Sequence, residues 1–400
     1  MANITEIDTS GRNGWGYTEE EVLLRQNLRA FVEKEVAPRW EEGRNFDTEE
    51  AFFREMHKKL GDMDILRIFA PVESGGLAQR LTNVGIILEE LARGSAALSM
   101  HVMVNILESA WMGLVSKAAY EKWAPGIISG DIILAGCGTA PEGMANYPEQ
   151  ASLGRLDEKA NEWVLDGQRA FSSGGQFCDV LLISGITDEG DSAMWFVEVE
   201  KTPGLTITHN PEMAVESTYG TVDFKNVRVP KEFGGLSPMV RKRKPQEFVG
   251  FKTFAVMCDW MNIGTTEAVF EKTVEYMKNR TSYFKPLASK GLIQYKLTTM
   301  KAKLVACRAM ATLATQLIEH GDPAGMLVGD LSKAYVNDTC RMITDECIQM
   351  HGNLGINPKS GIIHHHLETI GFSIGAGTSD MHYDAAAALM GLPEAEFVAM

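Results

Sequence analysis

The feature of this chain that most constrains its fold is a change in the spacing of its apolar residues. Over residues 18–130, apolar residues recur every three or four positions, which is typical of amphipathic helices. Short apolar and aromatic runs separated by turn residues fill residues 132–230, and helical spacing returns over residues 247–390. This order predicts an α+β protein in which strands lie between two helical segments.

The same change of spacing divides the chain into three predicted domains. Residues 1–134 are predicted to form an N-terminal helical domain, residues 135–237 a middle antiparallel β domain, and residues 238–400 a C-terminal helical bundle. Thr18 and Glu21 have capping-box spacing, which predicts a helix start, and Pro38 is predicted to end or kink that helix. C-terminal helices are predicted over residues 247–280, 292–320, 325–349 and 378–390.

Composition excludes several classes of protein. The net charge of −15 gives no support for nonspecific binding to nucleic acid. No signal peptide is visible, and the strongest apolar stretch, near residues 100–115, is interrupted by His101, Asn105 and Glu108, so we expect a buried helix and no membrane span. Six scattered cysteines without a CxxC pair indicate reduced thiols in a cytoplasmic protein.

Five short motifs occur in a fixed order along the strand region and the second helical region. They are the turn Thr139-Ala140-Pro141, the strand from Gly167 to Gly174, the turn from Arg280 to Pro286, the segment from Gln349 to Gly355, and the turn Gly377-Thr378-Ser379-Asp380. In this order and context, the chain resembles the acyl-CoA dehydrogenase family over about 350 residues.

The resemblance implies an FAD site and a CoA thioester substrate. By resemblance, Thr139 and Ser173 hydrogen-bond the flavin ring and Phe171 stacks on it, because a reduced flavin carries negative charge that fixed donors stabilise. Arg280 would reach the FAD pyrophosphate of a neighbouring subunit. The other cofactor-binding positions that the resemblance implies are Gln294, Gln349, Gly352, Asn353 and Thr378.

The resemblance also implies partners. A flavin shared across a subunit interface implies a homodimer or homotetramer, and an electron-transfer flavoprotein or a similar protein would be the electron acceptor. Pairing with an active homologue in a hetero-oligomer is an alternative. Three consecutive histidines, His364 to His366, point about 100° apart on a helix, so they cannot converge on one ion and we expect no metal site.

The residue that the family uses as its general base is absent. The family's glutamate precedes a Gly-Thr pair, where this chain has Ala376, and the position that a minority of the family uses instead holds Phe254. Asp259 lies five residues beyond Phe254, about 140° round the helix, so it is only a weak candidate for the base. The catalytic residue therefore stays unknown at this stage.

Several reactions are compatible with a flavin fold that lacks this carboxylate. Gly375 and Ala376 remove an aromatic ring and a carboxylate, which predicts a wider pocket for a bulky or atypical acyl group. The chain could oxidise such a thioester with an unusual base, or it could reduce an enoyl-CoA or eliminate a leaving group. A flavin monooxygenase and a non-catalytic subunit are the remaining alternatives.

Overall fold

The computed structural model describes residues 17–42, 46–141, 143, 151–210, 218–237 and 249–393. These residues form two compact units, each assembled from separate stretches of the chain. Unit 1 comprises Met1–Glu41, Leu81–Ala96 and Val249–Met400, and unit 2 comprises Glu42–Arg80 and Ala97–Phe248. The division into three domains at residues 134 and 237 follows the linear sequence and stays a prediction.

The described helices follow the predicted order with two additions. Thr18 forms the expected capping box with Glu21. The predicted helices from residue 247 onward agree with the structure to within two residues at each end, but the sequence patterns missed α6 and α10. The helices are α1 (Glu19–Phe31), α2 (Ala37–Glu42), α3 (Phe46–Asp62), α4 (Leu81–Gly94), α5 (Ala96–Val115), α6 (Lys117–Ile128), α7 (Val249–Asn279), α8 (Gly291–Glu319), α9 (Ala324–His351), α10 (Ile362–Ile374) and α11 (Ser379–Leu389).

Pro38 does not end the first helix. The segment Val32–Val36 is π-helical, and the helical path continues from it into α2, where Pro38 is the second residue. A proline lacks an N–H donor, and a local change of hydrogen-bond register before it lets the helical path continue.

The described strands of unit 2 form one eight-stranded sheet. Its order is β6-β7-β3-β1-β4-β5-β8, and β2 pairs with both β3 and β4. The strands are β1 (Leu134–Cys137), β2 (Ser152–Asp157), β3 (Glu162–Ser173), β4 (Val180–Thr187), β5 (Ser192–Glu198), β6 (Leu205–His209), β7 (Tyr219–Pro230) and β8 (Gly234–Leu236).

The prediction of a purely antiparallel domain is wrong, because β4 runs parallel to both β1 and β2. Parallel neighbours need a long connection, and β1 and β4 are separated by β2 and β3, which supply one. The patterns also missed β2 itself, since its two leucines are interrupted by glycine, arginine and aspartate.

Helix α5 packs within unit 2. The Asn105 side chain bonds both backbone groups of Leu134 on β1, at 2.9 Å from the Leu134 N–H and 3.0 Å to its carbonyl. Among the described residues, α5 is the one helix long and apolar enough to cross a membrane, and 61% of its most apolar window is buried inside the structure. These contacts match the predicted core helix.

Unit 1 is built round α7, whose residues are buried on several faces. Helices α4, α8, α9 and α10 all pack on it. The approach of α4 is close at Gly85, where an added Cβ would lie 2.5 Å from the Trp260 ring. The packing of these two helices therefore requires a residue without a side chain at position 85.

A group of buried charges joins α1, α4, α7 and α8 in unit 1. Arg25 lies 2.8 Å from Glu89 and 2.7 Å from Glu90. Arg308 donates to Glu89 at 3.0 Å through Nε and also contacts Glu267. All five side chains are at most 6% exposed. Burial alone would raise the pKa of Glu89 and Glu267, but the adjacent cationic side chains outweigh it and lower both.

Candidate functional site

In unit 2, Phe171 is exposed by an irregular stretch of β3. Its φ of +53° is unusual for a residue with a side chain, and the pairing between β3 and β7 shifts register between Arg169 and Ser172. The Phe171 ring is 50% exposed and meets Tyr219 edge to face, with ring centroids 6.4 Å apart. A planar aromatic surface is thus open to a ligand, as the proposed flavin-stacking role requires.

The two serines after Phe171 face opposite sides of the strand. Ser172 is buried and donates to the carbonyl of Gly136 at 2.8 Å, which ties β3 to β1. Ser173 is only half-buried, so its hydroxyl lies on the other side of the strand. The Ala170 N–H donates to the Thr139 carbonyl at 2.8 Å, so the Thr139 turn is held beside this strand.

Close packing and a buried side chain on either side of Phe171 hold this part of β3 in place. Arg169 stands where the family usually has lysine, and it is buried, with Nε donating to the Ser184 carbonyl at 3.0 Å. Gly174 has a φ of +77°, and an added Cβ would lie 2.8 Å from the His101 ring. Unit 2 thus brings together Thr139, Phe171 and Ser173 and holds them from beneath.

In unit 1, five predicted cofactor residues lie at one end of the helical bundle. Helices α7 and α9 end there and α8 begins there. Tyr276, near the end of α7, stacks on His351, at the end of α9, with ring centroids 4.5 Å apart. The Leu287 N–H bonds the Arg280 carbonyl at 2.8 Å, and Gln294 donates to the Ala288 carbonyl at 3.1 Å. All five predicted residues are exposed, namely Arg280, Gln294, Gln349, Gly352 and Asn353.

The turn after Arg280 is a tight hairpin with aromatic residues at its tip. Tyr283 and Phe284 connect β9 (Thr281–Ser282) to β10 (Lys285–Pro286), with φ of +52° and +64°. Positive φ at both central residues is what a two-residue hairpin requires, and asparagine and glycine usually supply it. Both rings are exposed, Tyr283 at 88%.

Ala376, which the resemblance aligns with the family's usual base, lies in a strained turn between α10 and α11. Ala376 has a φ of +56° and Gly377 a φ of +99°. Thr378 caps α11, its side chain accepting from the Met381 N–H at 3.4 Å. Ala376 is half-buried, so a side chain at this position reaches the surface of unit 1.

The two other candidates for the base lie on α7. Phe254 is half-buried, and it cannot abstract a proton. Asp259 is completely buried and accepts from the Ser332 hydroxyl of α9 at 2.7 Å. Burial raises the pKa of Asp259 to about 7, although Lys333 and Ser332 oppose the shift. Asp259 therefore lies in the interface between α7 and α9, without access to a substrate.

The sequence patterns did not anticipate three buried side chains beneath the Ala376 turn. His382 Nε2 lies 2.9 Å from the Ala376 carbonyl, and its Nδ1 lies 2.7 Å from Asp330. Asp330 also contacts the Lys252 ammonium. These residues are 78 and 52 positions apart in sequence. The only local signal is His382 itself, four residues after Thr378.

The three consecutive histidines of α10 contact three different groups. His365 contacts Thr265 at 2.8 Å and His366 contacts Thr344 at 2.9 Å, while His364 lies 3.0 Å from the Pro358 carbonyl. Each ring thus has its own partner. No cluster of three metal-binding side chains is present in the part of the chain that the structure describes.

Comparison with known proteins identifies the class. Residues 18–131 match the acyl-CoA dehydrogenase N-terminal domain and residues 250–390 the acyl-CoA dehydrogenase C-terminal domain. This chain belongs to the acyl-CoA dehydrogenase family, whose members are FAD-dependent oxidoreductases that act on CH–CH bonds of CoA thioesters.

Individual relatives are distant but cover most of the chain. Cyclohex-1-ene-1-carbonyl-CoA dehydrogenase of Syntrophus aciditrophicus is 26% identical over 84% of this chain and 82% of its own length. The NADH-dependent acryloyl-CoA reductase of Anaerotignum propionicum is 27% identical over 93% of this chain and 94% of its own. A glutaryl-CoA dehydrogenase from Mycobacterium smegmatis, solved with FADH2, shares the fold with a TM-score of 0.82 and 22% identity, covering 95% and 96% of the two chains.

Each unit, taken by itself, offers residues that suit one part of an FAD molecule. Unit 2 offers an exposed aromatic ring at Phe171 and hydroxyls at Thr139 and Ser173, which suit a flavin ring. Unit 1 offers the exposed Arg280 guanidinium and the glycine turn at Gly352, which suit a pyrophosphate and a closely approaching nucleotide. When bound, FAD supplies a hydride acceptor or donor.

Proposed function

We propose that this protein is an FAD-dependent oxidoreductase that acts on the CoA thioester of a bulky or atypical acyl group, without a carboxylate at the family's usual base position. The observation that carries the proposal is the pair Gly375-Ala376, which occupies a strained turn at the surface of unit 1. A methyl group there can neither accept a proton nor fill the space of a glutamate.

The shape of this turn supports a larger acyl group. A tyrosine-sized ring and a glutamate together occupy far more volume than Gly375 and Ala376, so their replacement leaves room next to the reacting carbons. The relative from Syntrophus aciditrophicus carries the name of a dehydrogenase for a cyclic acyl group. A ring-bearing or branched acyl thioester is therefore the substrate class that we propose first.

Described carboxylates close to the turn in sequence do not replace the base. Glu368 is buried and contacts the Thr265 hydroxyl, and Asp380 is exposed in the first turn of α11. Since removal of an α-proton from a thioester requires a base within hydrogen-bond reach, oxidation would need a group from elsewhere.

This absence favours a second candidate, the reduction of an α,β-unsaturated thioester. In that direction the α-carbon must receive a proton, and a water molecule or a backbone-bound solvent site can deliver one at a widened turn. The relative from Anaerotignum propionicum carries the name of a reductase of this kind. Reaction direction is thus the property that most needs an experiment.

We further propose that the protein is a homodimer or homotetramer in which FAD is shared between chains. Positions 254 and 280 lie on the same helix, α7, and a rise of 1.5 Å per residue separates them by about 39 Å. The Ala376 turn lies near the start of this helix and Arg280 lies at its end, and one FAD molecule is too short to reach from one to the other. The flavin and the ADP portion of one FAD would therefore contact different chains. The exposed aromatic tip formed by Tyr283 and Phe284 provides an apolar surface that an assembly would cover.

The remaining features of the proposal follow the family. An electron-transfer flavoprotein or a similar protein would exchange electrons with the flavin, and the protein would work in the cytoplasm. The six cysteines are all buried and unpaired, which suits a reducing compartment.

The deciding experiment is an anaerobic visible spectrum of the purified protein. Oxidised flavin is titrated with saturated straight-chain, branched and cyclic acyl-CoAs, and chemically reduced flavin with the matching enoyl-CoAs. Bleaching by a saturated cyclic or branched thioester would support oxidation. Return of the oxidised spectrum with an enoyl-CoA would support reduction.

Other outcomes identify the alternatives. A flavin that responds to no thioester but consumes oxygen when reduced would indicate a monooxygenase. Co-purification of a second dehydrogenase-like chain would indicate a non-catalytic subunit. Absence of bound flavin after reconstitution with FAD would overturn the proposal at its first step.

The variant Ala376→Glu tests the assignment of the turn. We expect it to gain oxidation of a straight-chain acyl-CoA, because it restores a carboxylate at the family's position. Ala376→Gln is the matched control, since it has the same size without a base. Equal rates for the two variants would count against the placement of the acyl site at this turn.

A further inference from the structure

The Ala376 turn is held from beneath by a line of three buried polar side chains on three helices of unit 1. Lys252 on α7 contacts Asp330 on α9, and a carboxyl oxygen of Asp330 lies 2.7 Å from Nδ1 of His382 on α11. All three side chains are 0% exposed. The far ring nitrogen of His382 lies 2.9 Å from the Ala376 carbonyl.

These contacts fix the direction of the last hydrogen bond. A carbonyl oxygen can only accept, so His382 Nε2 carries the proton and donates to Ala376. The paired carboxylate of Asp330 faces the other ring nitrogen and holds the ring in this orientation. Burial lowers the pKa of Lys252, and the adjacent Asp330 carboxylate opposes that shift.

The sequence of the turn is matched to this contact. An added Cβ at Gly377 would lie 2.7 Å from His382 Nε2, so glycine lets the imidazole approach. The positive φ of Ala376 is a conformation that is unfavourable for a residue with a side chain, and it persists only where its surroundings hold it. The bond from His382 is such a restraint.

Neighbouring side chains hold the preceding helix end in the same way. Lys333 donates to the Phe372 carbonyl at 2.6 Å and Asn337 to the Ser373 carbonyl at 3.5 Å, both in the last turn of α10. The last carbonyls of a helix lack intrahelical partners, and a basic side chain satisfies them well. The turn is therefore held on both sides, at the end of α10 before it and at the Ala376 carbonyl within it.

We propose that Lys252, Asp330 and His382 are positioning residues that hold the Ala376 turn in the geometry required for turnover of the thioester. They act through the Ala376 backbone and do not touch substrate. The inference rests on the proposed function, because that function assigns the turn to the acyl site. It adds that the turn stays preorganised by buried charge even though its carboxylate is gone.

The first test measures the turn without any activity. Hydrogen–deuterium exchange is followed in the holoprotein over residues 375–378 for His382→Leu, His382→Gln and Thr315→Val. We expect His382→Leu to speed exchange there about tenfold, which corresponds to the loss of one buried hydrogen bond. His382→Gln should recover part of the protection, because its amide can donate to the Ala376 carbonyl.

Thr315→Val is the matched control. It removes a buried 2.9 Å hydrogen bond to Trp260 in the same unit but does not touch the turn. Exchange over residues 375–378 should stay at the wild-type rate in this variant. Equal exchange in His382→Leu and Thr315→Val would overturn the proposal. Should His382→Leu not fold, Asp330→Asn replaces it, with the same expectation.

The second test asks whether positioning matters for chemistry. Flavin bleaching by butyryl-CoA is measured in Ala376→Glu with and without His382→Leu. In the double variant we expect kcat to fall about tenfold or more while KM changes less than about threefold. The positioning array, which consists of Lys252, Asp330 and His382, orients the turn beside the reacting carbons of the substrate and does not contact the CoA portion. Equal kcat values with and without His382→Leu would refute the claim that the array positions the turn for catalysis.

The two failures are distinguishable. If no variant bleaches with any thioester while exchange still rises in His382→Leu, the array holds the turn and the proposed function is at fault. If Ala376→Glu is active and His382→Leu changes neither exchange nor kcat, the proposed function stands and the positioning array does not.

Discussion

Arg308 joins two buried carboxylates of unit 1, and the variant Arg308→Met tests how much that junction stabilises the protein. The guanidinium donates to Glu89 at 3.0 Å and also contacts Glu267, and it is 5% exposed. Methionine has a similar length but no charge. The variant therefore leaves both carboxylates in place and removes the cation between them.

The expected cost is about 3 kcal/mol in the free energy of unfolding at pH 7. Breaking a buried ion pair from one side costs about 3–5 kcal/mol, because the other charge stays desolvated. The lower end applies here, since Glu89 keeps Arg25 at 2.8 Å and Glu267 keeps Lys301. At about 2 °C per kcal/mol for a large chain, the melting temperature should fall by about 6 °C.

The pH dependence has a definite sign. Burial alone would raise the pKa of Glu89, but Arg25 and Arg308 outweigh it and lower the pKa to about 2. A depressed carboxyl pKa stabilises the fold above the unfolded value near 4.5 and loses that effect as pH falls toward 2. The difference between wild type and Arg308→Met should therefore shrink below pH 4.5.

Urea unfolding followed by far-ultraviolet circular dichroism, with both proteins reconstituted with FAD, measures the effect. Arg228→Met is the control, because Arg228 is 42% exposed and pairs with Asp157 at 3.4 Å and Glu162 at 3.1 Å. Exposed pairs contribute at most about 1 kcal/mol. If Arg308→Met costs no more than Arg228→Met at pH 7, the reasoning about buried charge is wrong.

Three further predictions concern packing, titration and backbone strain. Gly85→Ala should destabilise the protein by about 2 kcal/mol or more in the same urea assay, because the new Cβ would meet the Trp260 ring at 2.5 Å. Burial raises the pKa of Glu108 to about 8, so the folded protein is most stable, as far as Glu108 is concerned, below pH 4.5, and it loses stability as the pH rises from 4.5 to 8. Glutamine stays neutral, so the melting temperature of Glu108→Gln should increasingly exceed that of the wild type over this pH range. Replacing Tyr283 and Phe284 by asparagine and glycine should stabilise the apoprotein by about 1–2 kcal/mol, since both residues have positive φ; an unchanged unfolding midpoint would show that the turn is not strained.

Local patterns predicted much of the fold and part of the site. The capping box at Thr18 and the long helices α7 to α9 follow from local patterns, and the resemblance alone singled out Phe171, whose ring is exposed in the structure. Helix α10 escaped prediction because its start after Gly361 lacks a side-chain cap and it carries three histidines. The parallel pairing of β4 also escaped, since sheet order is decided by which strands meet and not by their own sequences.

The positioning array shows most plainly what local patterns omit. Lys252, Asp330 and His382 each lie on a helix with many other polar residues, and nothing in their neighbours marks them. Their contact depends on how α7, α9 and α11 pack, which the chain decides only when all three are present. In contrast, the prediction that Ala376 stands at the family's base position needs only local sequence, because a motif fixes that position along the chain.

The assembly of unit 1 from three separate stretches has a consequence for synthesis. The chain enters and leaves this unit at residues 41, 81, 96 and 249, so α1 and α4 are made long before α7 and α8. At about 5–20 residues per second, Glu89 waits about 10–40 s on the ribosome before Arg308 follows it. During that interval, the carboxylates of α4 and the surface that will receive Trp260 have no partner from the C-terminal helices. A nascent chain of this protein therefore spends most of its synthesis with its charged core half built, and chaperones have that interval in which to act.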